Sequence, residues 1–435
     1  MKTPALLVLL ALGGCSTFDD LLGDNKIPAV GKREVVAVVR RGLEVDVTDA
    51  SPVSVPPAVA TPESAQIGGG PAHAGGHIAV AGFTPAWRAD IGASGGYRDK
   101  ILTTPVVSGG RVFTMDADAT VAAFDVQTGS RVWRTSTQDD EDRSTNVGGG
   151  VAVDGGVVYV TTGRADVLAL DAGTGAVRWR KSLGSPARSA PTVSGGRVFA
   201  STIDSKLVAL SAKTGDREWQ YQGNSIATTL LGQGAPAVSD GIVLAGFGSG
   251  ELVAVREESG GLVWSDSLAS SRGRNSLVDL SAIRGLPVVD QGRVYAVGAG
   301  GLLLAIDLRT GRRLWEREVG GTQTPWLAGD WLFVQTTDQA LAAIRTSDGR
   351  LRWARDLPRY ENEGKKQDVI FWTGPVLAGG KLILAGSNEQ VVSISPATGK
   401  VIGVDTLRGP ATVPPVAAAG TLLILTEDAT LQAYR

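Results

Sequence analysis

Cysteine and histidine are nearly absent from this chain of 435 residues, which contains one Cys and two His. A lone cysteine forms neither an internal disulfide bond nor a thiolate metal site. The histidines, His73 and His77, lie four residues apart, but the intervening Gly75-Gly76 disfavours the helix that would direct both rings at one metal ion. We therefore interpret both as incidental linker residues, and we predict no catalytic residues, no metal site and no cofactor.

A strong charge of either sign is also missing. Lys and Arg together number 42 against 44 Asp and Glu, which leaves a net charge of -2 at pH 7. A nearly neutral chain without a basic face does not attract nucleic acid over long distances. Nucleic acid is therefore not an expected partner.

Tryptophan, by contrast, recurs along most of the chain. Seven tryptophans follow one another at intervals of 38 to 51 residues: Trp87, Trp133, Trp179, Trp219, Trp264, Trp315 and Trp353. Most of them end the same phrase, an alternating apolar run, a Thr-Gly turn and then the Trp, as in residues 121–133. A repeat of this length built from short strands is typical of a β-propeller.

The repeated residues are predicted to be structural. We expect each Trp ring to pack between adjacent blades, because a buried aromatic contributes a large apolar area. Asp125, Asp171 and Asp307 precede the Thr-Gly turns, and we expect their carboxylates to accept hydrogen bonds from those turns.

Counting the repeats predicts the number of blades. First hairpins begin near eight positions: Pro105, Gly150, Pro191, Pro236, Pro287, Pro325, Pro375 and Pro415. The chain ends at Arg435 after a third strand, whereas residues 83–87 supply a fourth strand before the first hairpin. We therefore predict an all-β, eight-bladed β-propeller of four-stranded antiparallel blades over residues 81–435, closed by an N-terminal strand that completes the last blade, and monomeric.

The N-terminus has the features of an exported lipoprotein. Residues 1–14 contain a basic residue and an apolar stretch too short to span a bilayer, as in a cleaved signal peptide. Leu12-Gly13-Gly14-Cys15 resembles a bacterial lipobox, which implies lipidation of Cys15; an ordinary signal peptide with an incidental Cys is the alternative. Residues 15–80 are rich in Pro and Gly, and we expect them to form a flexible tether.

The combination of lipobox, tether and eight repeats resembles the BamB family, the propeller lipoproteins of the outer-membrane β-barrel assembly machinery. The resemblance implies a non-catalytic scaffold that takes part in assembly and insertion of β-barrel proteins. It implies docking on the POTRA domains of the central barrel subunit, with unfolded outer-membrane proteins as a further class of partner. It also implies a lipid anchor in the outer membrane and a propeller that faces the periplasm, since Ser16-Thr17 lacks the aspartate associated with inner-membrane retention.

The same resemblance implies a docking surface in the segments that lead into the fourth and fifth blades. The corresponding partner-binding residues are Leu230, Leu231, Ile283, Arg284 and Leu286. Leu231 stands where the family has an Arg, and Ala282 and Arg284 stand where it has Asp, so the family's salt bridges do not carry over. The alternative is that these segments are only variable connections. We expect the aliphatic residues to be exposed in one patch on one face of the propeller.

Two other functions stay open at this stage. The repeat is similar to that of pyrroloquinoline quinone (PQQ)-dependent dehydrogenases, which implies a quinone and a calcium ion, although the side chains of that site are not supplied here. A sensor or polymer-binding propeller of another envelope complex is the third hypothesis.

Overall fold

The computed structural model describes residues 42–46, 52–96, 100–138, 146–224, 232–269 and 282–435. Its secondary structure consists of β-strands, and the described residues contain no helix long and apolar enough to cross a membrane. Within these residues, eight four-stranded antiparallel sheets are arranged as a propeller, so the predicted fold class is confirmed. Short period-2 apolar runs between Gly and Asp turns favour such strands.

The first strand of each blade lies nearest the central channel. These strands are β2 (Val106–Ser108), β6 (Gly149–Asp154), β10 (Thr192–Ser194), β14 (Ala237–Ser239), β18 (Val288–Asp290), β22 (Trp326–Ala328), β28 (Trp372–Ala378) and β32 (Val416–Ala418). The second strands are β3 (Arg111–Met115), β7 (Val157–Thr162), β11 (Arg197–Ser201), β15 (Ile242–Gly246), β19 (Arg293–Val297), β23 (Trp331–Gln335), β29 (Lys381–Gly386) and β33 (Thr421–Leu425).

The third and fourth strands complete each blade outward. The third strands are β4 (Thr120–Asp125), β8 (Asp166–Asp171), β12 (Lys206–Ser211), β16 (Glu251–Arg256), β20 (Leu303–Asp307), β24 (Ala340–Arg345), β30 (Gln390–Ile394) and β34 (Thr430–Tyr434). The fourth strands are β5 (Arg131–Ser136), β9 (Val177–Ser182), β13 (Arg217–Gln222), β17 (Leu262–Ser267), β21 (Arg313–Arg317), β25 (Leu351–Asp356), β31 (Val401–Thr406) and β1 (Pro85–Asp90). A two-stranded hairpin, β26 (Tyr360–Asn362) and β27 (Gln367–Val369), precedes the seventh blade.

The last blade combines strands from both ends of the described chain. Strand β1 pairs antiparallel with β34, with Trp87 opposite Ala433 and Asp90 opposite Thr430. The core is divided among the described residues into eight apolar clusters, each between two adjacent blades. One of these clusters joins the last blade to the first through Phe124 and Leu423, which completes the ring.

The repeated tryptophans pack between adjacent blades, as predicted. Each indole Nε1 donates a hydrogen bond to a backbone carbonyl of the next blade; for example, Trp179 donates to Ala212 at 3.1 Å and Trp264 to Leu308 at 2.7 Å. The ring lies directly against the glycine of the next Thr-Gly turn, as Trp179 does against Gly215. The tryptophan therefore contributes both apolar burial and a directed hydrogen bond to each contact.

The aspartates before the turns also have the predicted role. The Asp125 carboxylate accepts hydrogen bonds from the backbone amides of Gln127 and Thr128 at 2.9 and 2.8 Å. Asp171 accepts from Arg178 and Thr174, and these contacts, Arg178 foremost, lower the pKa of Asp171 to about 2. These carboxylates therefore hold turns in place and are exposed structural acceptors.

The sequence-based prediction of a flexible tether is wrong for residues 52–80. Residues 59–81, hereafter the circuit segment, pass once around the end of the propeller where the first and second strands are joined. Its backbone or side chains contact the first strand of each described blade, or the turn directly after that strand. The contacted residues, in blade order, are Val107, Val153, Val193, Val238, Val289, Leu327, Leu377 and Gly420.

Hydrogen bonds to first strands hold the circuit segment. Ser64 and Val107 exchange two backbone hydrogen bonds of 2.8 Å, as neighbouring strands do. The Gln66 side chain imitates a strand at the third blade, because its amide donates to the Val193 carbonyl and accepts from the Val193 amide, both at 2.9 Å. The Trp326 indole donates to the Gly76 carbonyl at 2.7 Å. The segment thus pairs with strand groups that face the channel, where unpaired amides would be costly.

Candidate functional site

The segments that lead into the first strands meet at the other end of the channel, hereafter the connecting end. They surround a cavity of about 110 Å³. Within the described ranges, the residue three positions before the Pro of the first hairpin lines this cavity in several blades: Leu102, Arg188, Gln233, Arg284, Thr322 and Thr412. The repeat therefore directs one register position of each segment toward the channel axis.

The expected patch of exposed aliphatic residues is wrong for the two that the structure describes. Ile283 is 1% exposed and packs in the apolar cluster between the fourth and fifth blades. Gly246 permits this position, because a Cβ at that glycine would lie 2.4 Å from the Ile283 Cγ2. Leu286 is 4% exposed, and its backbone amide donates to the Thr324 hydroxyl at 3.1 Å.

Three other residues of the predicted functional sites lie outside the described residues: Leu230, Leu231 and Cys15. The two predicted docking segments nevertheless adjoin within the part that is described. A Cβ at Gly232 would lie 3.0 Å from an Arg284 guanidinium nitrogen, and one at Gly234 would lie 2.8 Å from the Gly285 carbonyl oxygen. The segments before the fourth and fifth blades therefore form one continuous part of the connecting end.

Arg284 is half-buried and faces the cavity. Burial lowers the pKa of its guanidinium, and no carboxylate of the described residues offsets this effect. Its Nε atom is buried and has no hydrogen-bond partner within the described ranges. The buried neighbours Ile283 and Leu286 anchor the segment on both sides and hold Arg284 at the cavity wall.

Sequence reasoning missed Arg188 and Gln233, which line the same cavity. Arg188 occupies the same register position in the third blade that Arg284 occupies in the fifth, and burial lowers its pKa as well. Gln233 occupies this position in the intervening fourth blade. The sequence contains a pattern that identifies Arg188. When Arg188-Ser-Ala-Pro191 and Arg284-Gly-Leu-Pro287 are aligned on the proline of the repeat, the two arginines occupy the same position.

A second cavity, of about 70 Å³, lies between the circuit segment and the blades. It adjoins the first cavity along the channel, because the two share five lining residues: Ile67, Thr104, Leu286, Thr324 and Pro414. Its wall includes His73, which is 2% exposed, contrary to the interpretation as an incidental linker residue. The ring Nδ1 lies 2.9 Å from the Pro287 carbonyl oxygen. Because a carbonyl only accepts, Nδ1 carries the proton and the neutral ring leaves Nε2 as an acceptor.

The buried His73 predicts a dependence of stability on pH. Desolvation lowers its pKa to about 4, against the opposing effect of the bond to Pro287. Between the unfolded value of about 6.5 and the folded value, only the unfolded chain takes up the proton, so stability is present above pH 6.5 and is lost as the pH falls toward 4. The expected loss is about 3 kcal/mol. His73→Asn is the matched variant, because asparagine tolerates the φ of 58° found there and its amide can donate to Pro287.

Denaturant titrations of parent and His73→Asn at pH 7 and pH 4 measure this loss. We expect the parent to lose about 3 kcal/mol more than the variant, since both share every other titrating group. Equal losses in the two proteins would contradict a neutral, buried His73.

The described residues do not fit a calcium–quinone centre. No group of three or more His, Cys, Asp or Glu side chains suited to a metal occurs among them. No carboxylate from the described part lines either cavity, so neither wall supplies the carboxylate ligands that calcium sites commonly use. His77 does not face a metal site either, because its Nδ1 contacts the Pro56 carbonyl and its Nε2 accepts from the Gly380 amide.

Fold and site together define an eight-bladed β-propeller of the PQQ-like repeat class, with polar segments gathered at one end of its channel. The chain belongs to the family of outer membrane protein assembly factor BamB, whose family model matches residues 60–147 and 117–355. The assembly factor BamB of Yersinia pestis is 28% identical over 358 residues, which cover 81% of this chain and 88% of that protein.

Solved structures share the fold. BamB from Moraxella catarrhalis superimposes with a TM-score of 0.69 at 21% identity, covering 81% of this chain and 99% of that one. The quinohemoprotein alcohol dehydrogenase from Comamonas testosteroni superimposes with a TM-score of 0.66 at 14% identity, covering 87% of this chain and 81% of that one. At these identities the likeness concerns the propeller alone and carries no activity with it.

Proposed function

We propose that this protein is a non-catalytic accessory factor in the assembly of outer-membrane β-barrel proteins. Membership of the BamB family is the observation that carries this proposal. The cavity walls support it, because they lack the carboxylates of a quinone–calcium centre among the described residues. In this function the propeller is a scaffold. Its closed ring of blades is rigid and offers a large surface for protein contacts.

We further propose that the connecting end docks on the POTRA domains of the central barrel subunit. Two observations support this surface. The segments before the fourth and fifth blades adjoin at Gly232 and Arg284, so a partner can contact both at once. Buried Ile283 and Leu286 fix the backbone of the second segment, and a rigid surface loses less conformational entropy on binding than a mobile one.

The leader residues support a location at the outer membrane. In this proposal Cys15 carries the lipid anchor, and the propeller faces the periplasm. Two or more acyl chains, at about 0.8 kcal/mol per buried CH₂, hold a protein stably on a membrane. Palmitate labelling of the full chain and of Cys15→Ala tests the anchor, and equal labelling of both would contradict it.

The docking proposal predicts that Leu231→Asp weakens binding to the POTRA domains by about 1–3 kcal/mol, because a charge replaces apolar contact area. Calorimetry with the purified POTRA domains measures this change. Val177→Asp is the control, since Val177 is 51% exposed at the start of β9, at the end opposite the connecting end. We expect the control to bind like the parent.

Three outcomes of this experiment are informative. A loss confined to Leu231→Asp supports docking at the connecting end. Equal affinity of both variants and the parent would exclude the surface. No binding by the parent, together with co-purification of a different envelope complex from cells, would instead favour the sensor or polymer-binding alternative.

A further inference from the structure

The described residues give the cavity at the connecting end a positive wall without a negative counterpart. Arg188 and Arg284 both line it, and no Asp or Glu of the described residues does. The Nε atoms of both arginines are buried without a hydrogen-bond partner within those residues. Both arginines lie three residues before the Pro of the first hairpin in their repeats. Because this position is the same in each repeat, both side chains face the channel axis.

Other polar atoms in the same wall also lack partners. The Ser189 hydroxyl and the Gln233 amide oxygen are buried and have no hydrogen-bond partner in the described part of the chain. The Gln233 amide nitrogen reaches the Thr202 carbonyl only at 3.4 Å, a long hydrogen bond. Rotation of the amide by half a turn gives up this long bond to Thr202 and directs the amide nitrogen, a donor, at the cavity.

Such a wall is unfavourable without a bound counter-charge. Buried polar atoms are usually hydrogen-bonded, and buried charges are usually paired. A charged group left without a partner weakens the fold unless a ligand compensates it. Two guanidinium groups and a hydroxyl that lack partners among the described residues therefore indicate a site for a ligand that accepts hydrogen bonds and carries negative charge.

The circuit segment forms the inner limit of this site. Its Ile67 lines both cavities. Before and after it, Gln66 and Pro71 bind the first strands of the third and fourth blades. A small ligand in the first cavity is therefore approached from the connecting end. The apolar side chains of Ile67 and Leu286 in the cavity wall lower the local dielectric constant, which strengthens charge interactions in the cavity.

We propose that Arg188, Gln233, Arg284 and Ser189 form a binding site for a single oxyanion group of the carboxylate or phosphate type. Guanidinium groups match the geometry of both anions and donate paired hydrogen bonds to two of their oxygen atoms. The amide of Gln233, between the two arginines in blade order, and the hydroxyl of Ser189 supply further donors. The size of about 110 Å³ accommodates one such group and a few waters. The site shares Arg284 with the proposed docking surface, but anion binding can be measured on the isolated protein without the docking partner.

Calorimetry with inorganic phosphate and, separately, with acetate at constant ionic strength tests the proposal. We expect the parent to bind at least one of these anions, and we expect Arg188→Gln and Arg284→Gln each to lower that affinity at least about tenfold, the effect of losing one charge-assisted contact. Arg309→Gln is the control with the same change of charge, since Arg309 is exposed and outside the cavity. The phosphate and acetate arms distinguish the tetrahedral from the planar anion.

Melting temperatures test independently whether the two arginines stabilise the fold or serve to bind a ligand. In a buffer without either anion, we expect both cavity variants to melt at or above the parent's temperature, because they remove an unpaired buried charge. Binding of neither anion by the parent, or equal affinity in the parent and both variants, would overturn the proposal. Clearly lower melting of both variants without anion would also overturn it, because the guanidinium groups would then be structural.

Discussion

A fragment that begins at residue 82 is expected to be less stable than one that begins at residue 52 by about 3–5 kcal/mol. The shorter fragment lacks the circuit segment, which buries Val53 and Ile78 together with its flank and is hydrogen-bonded to the blades. Burial of two such side chains contributes about 1.5–3 kcal/mol each. The side-chain hydrogen bonds of Gln66 and His73 to the blades are lost as well.

Thermal and denaturant unfolding of the two fragments measure this difference. Addition of a synthetic peptide of residues 52–81 to the shorter fragment is the control, and we expect it to restore part of the lost stability by mass action. The prediction of a flexible tether up to residue 80 implies instead that these residues are dispensable for folding. Equal stability of the two fragments would support that expectation and contradict the docked circuit segment.

The repeated features of the fold could be predicted because they occur many times. The phrase that ends in Trp133 recurs with the same turn and the same ring. An ambiguous strand pattern in one repeat is therefore resolved by the equivalent residues of the other repeats. Trp packing between blades and the Asp125 turn contacts follow from properties of single side chains, and both were predicted correctly. Local pattern and global fold agree at these positions.

The circuit segment could not be predicted because its contacts are mainly made by backbone groups. Ser64 and Gly76 pair through backbone amides and carbonyls, and Pro71 accepts through its carbonyl. These backbone groups are common to nearly all residue types, so the sequence shows only Pro and Gly enrichment, as in a mobile linker. The family match begins at residue 60, near the start of the circuit segment. The matched region therefore includes the circuit segment.

The candidate site was only partly predictable for a different reason. Arg284 was identified from its segment, and it does lie at the connecting end. Ile283 and Leu286 were expected to be exposed because they lie in a connection, but their burial depends on space that other residues leave free, such as the missing side chain of Gly246. Arg188 is recognised only when two distant segments are aligned on the proline of the repeat.

The contact between each tryptophan and the glycine of the next turn predicts a large effect of a single methyl group. Gly215 has a φ of 73°, and a Cβ there would lie 2.6 Å from the Trp179 ring. Gly215→Ala therefore combines backbone strain, about 1–3 kcal/mol, with overpacking of the contact between the second and third blades, about 1–3 kcal/mol. We expect a total loss of about 3–5 kcal/mol in denaturant unfolding.

Gly196→Ala separates the two effects. Gly196 lies in the same blade as Gly215 and has a φ of 76°, but no atom lies within 4 Å of a Cβ placed there. We expect this control to lose only the stability that the backbone strain costs, about 1–3 kcal/mol. Similar losses of unfolding free energy in the two variants would show that the Trp179 ring moves aside without loss of stability. The Trp179 contact would then not hold the blades together. A clear excess in Gly215→Ala would instead show that the glycine is required because the tryptophan of the preceding blade occupies the space of its side chain.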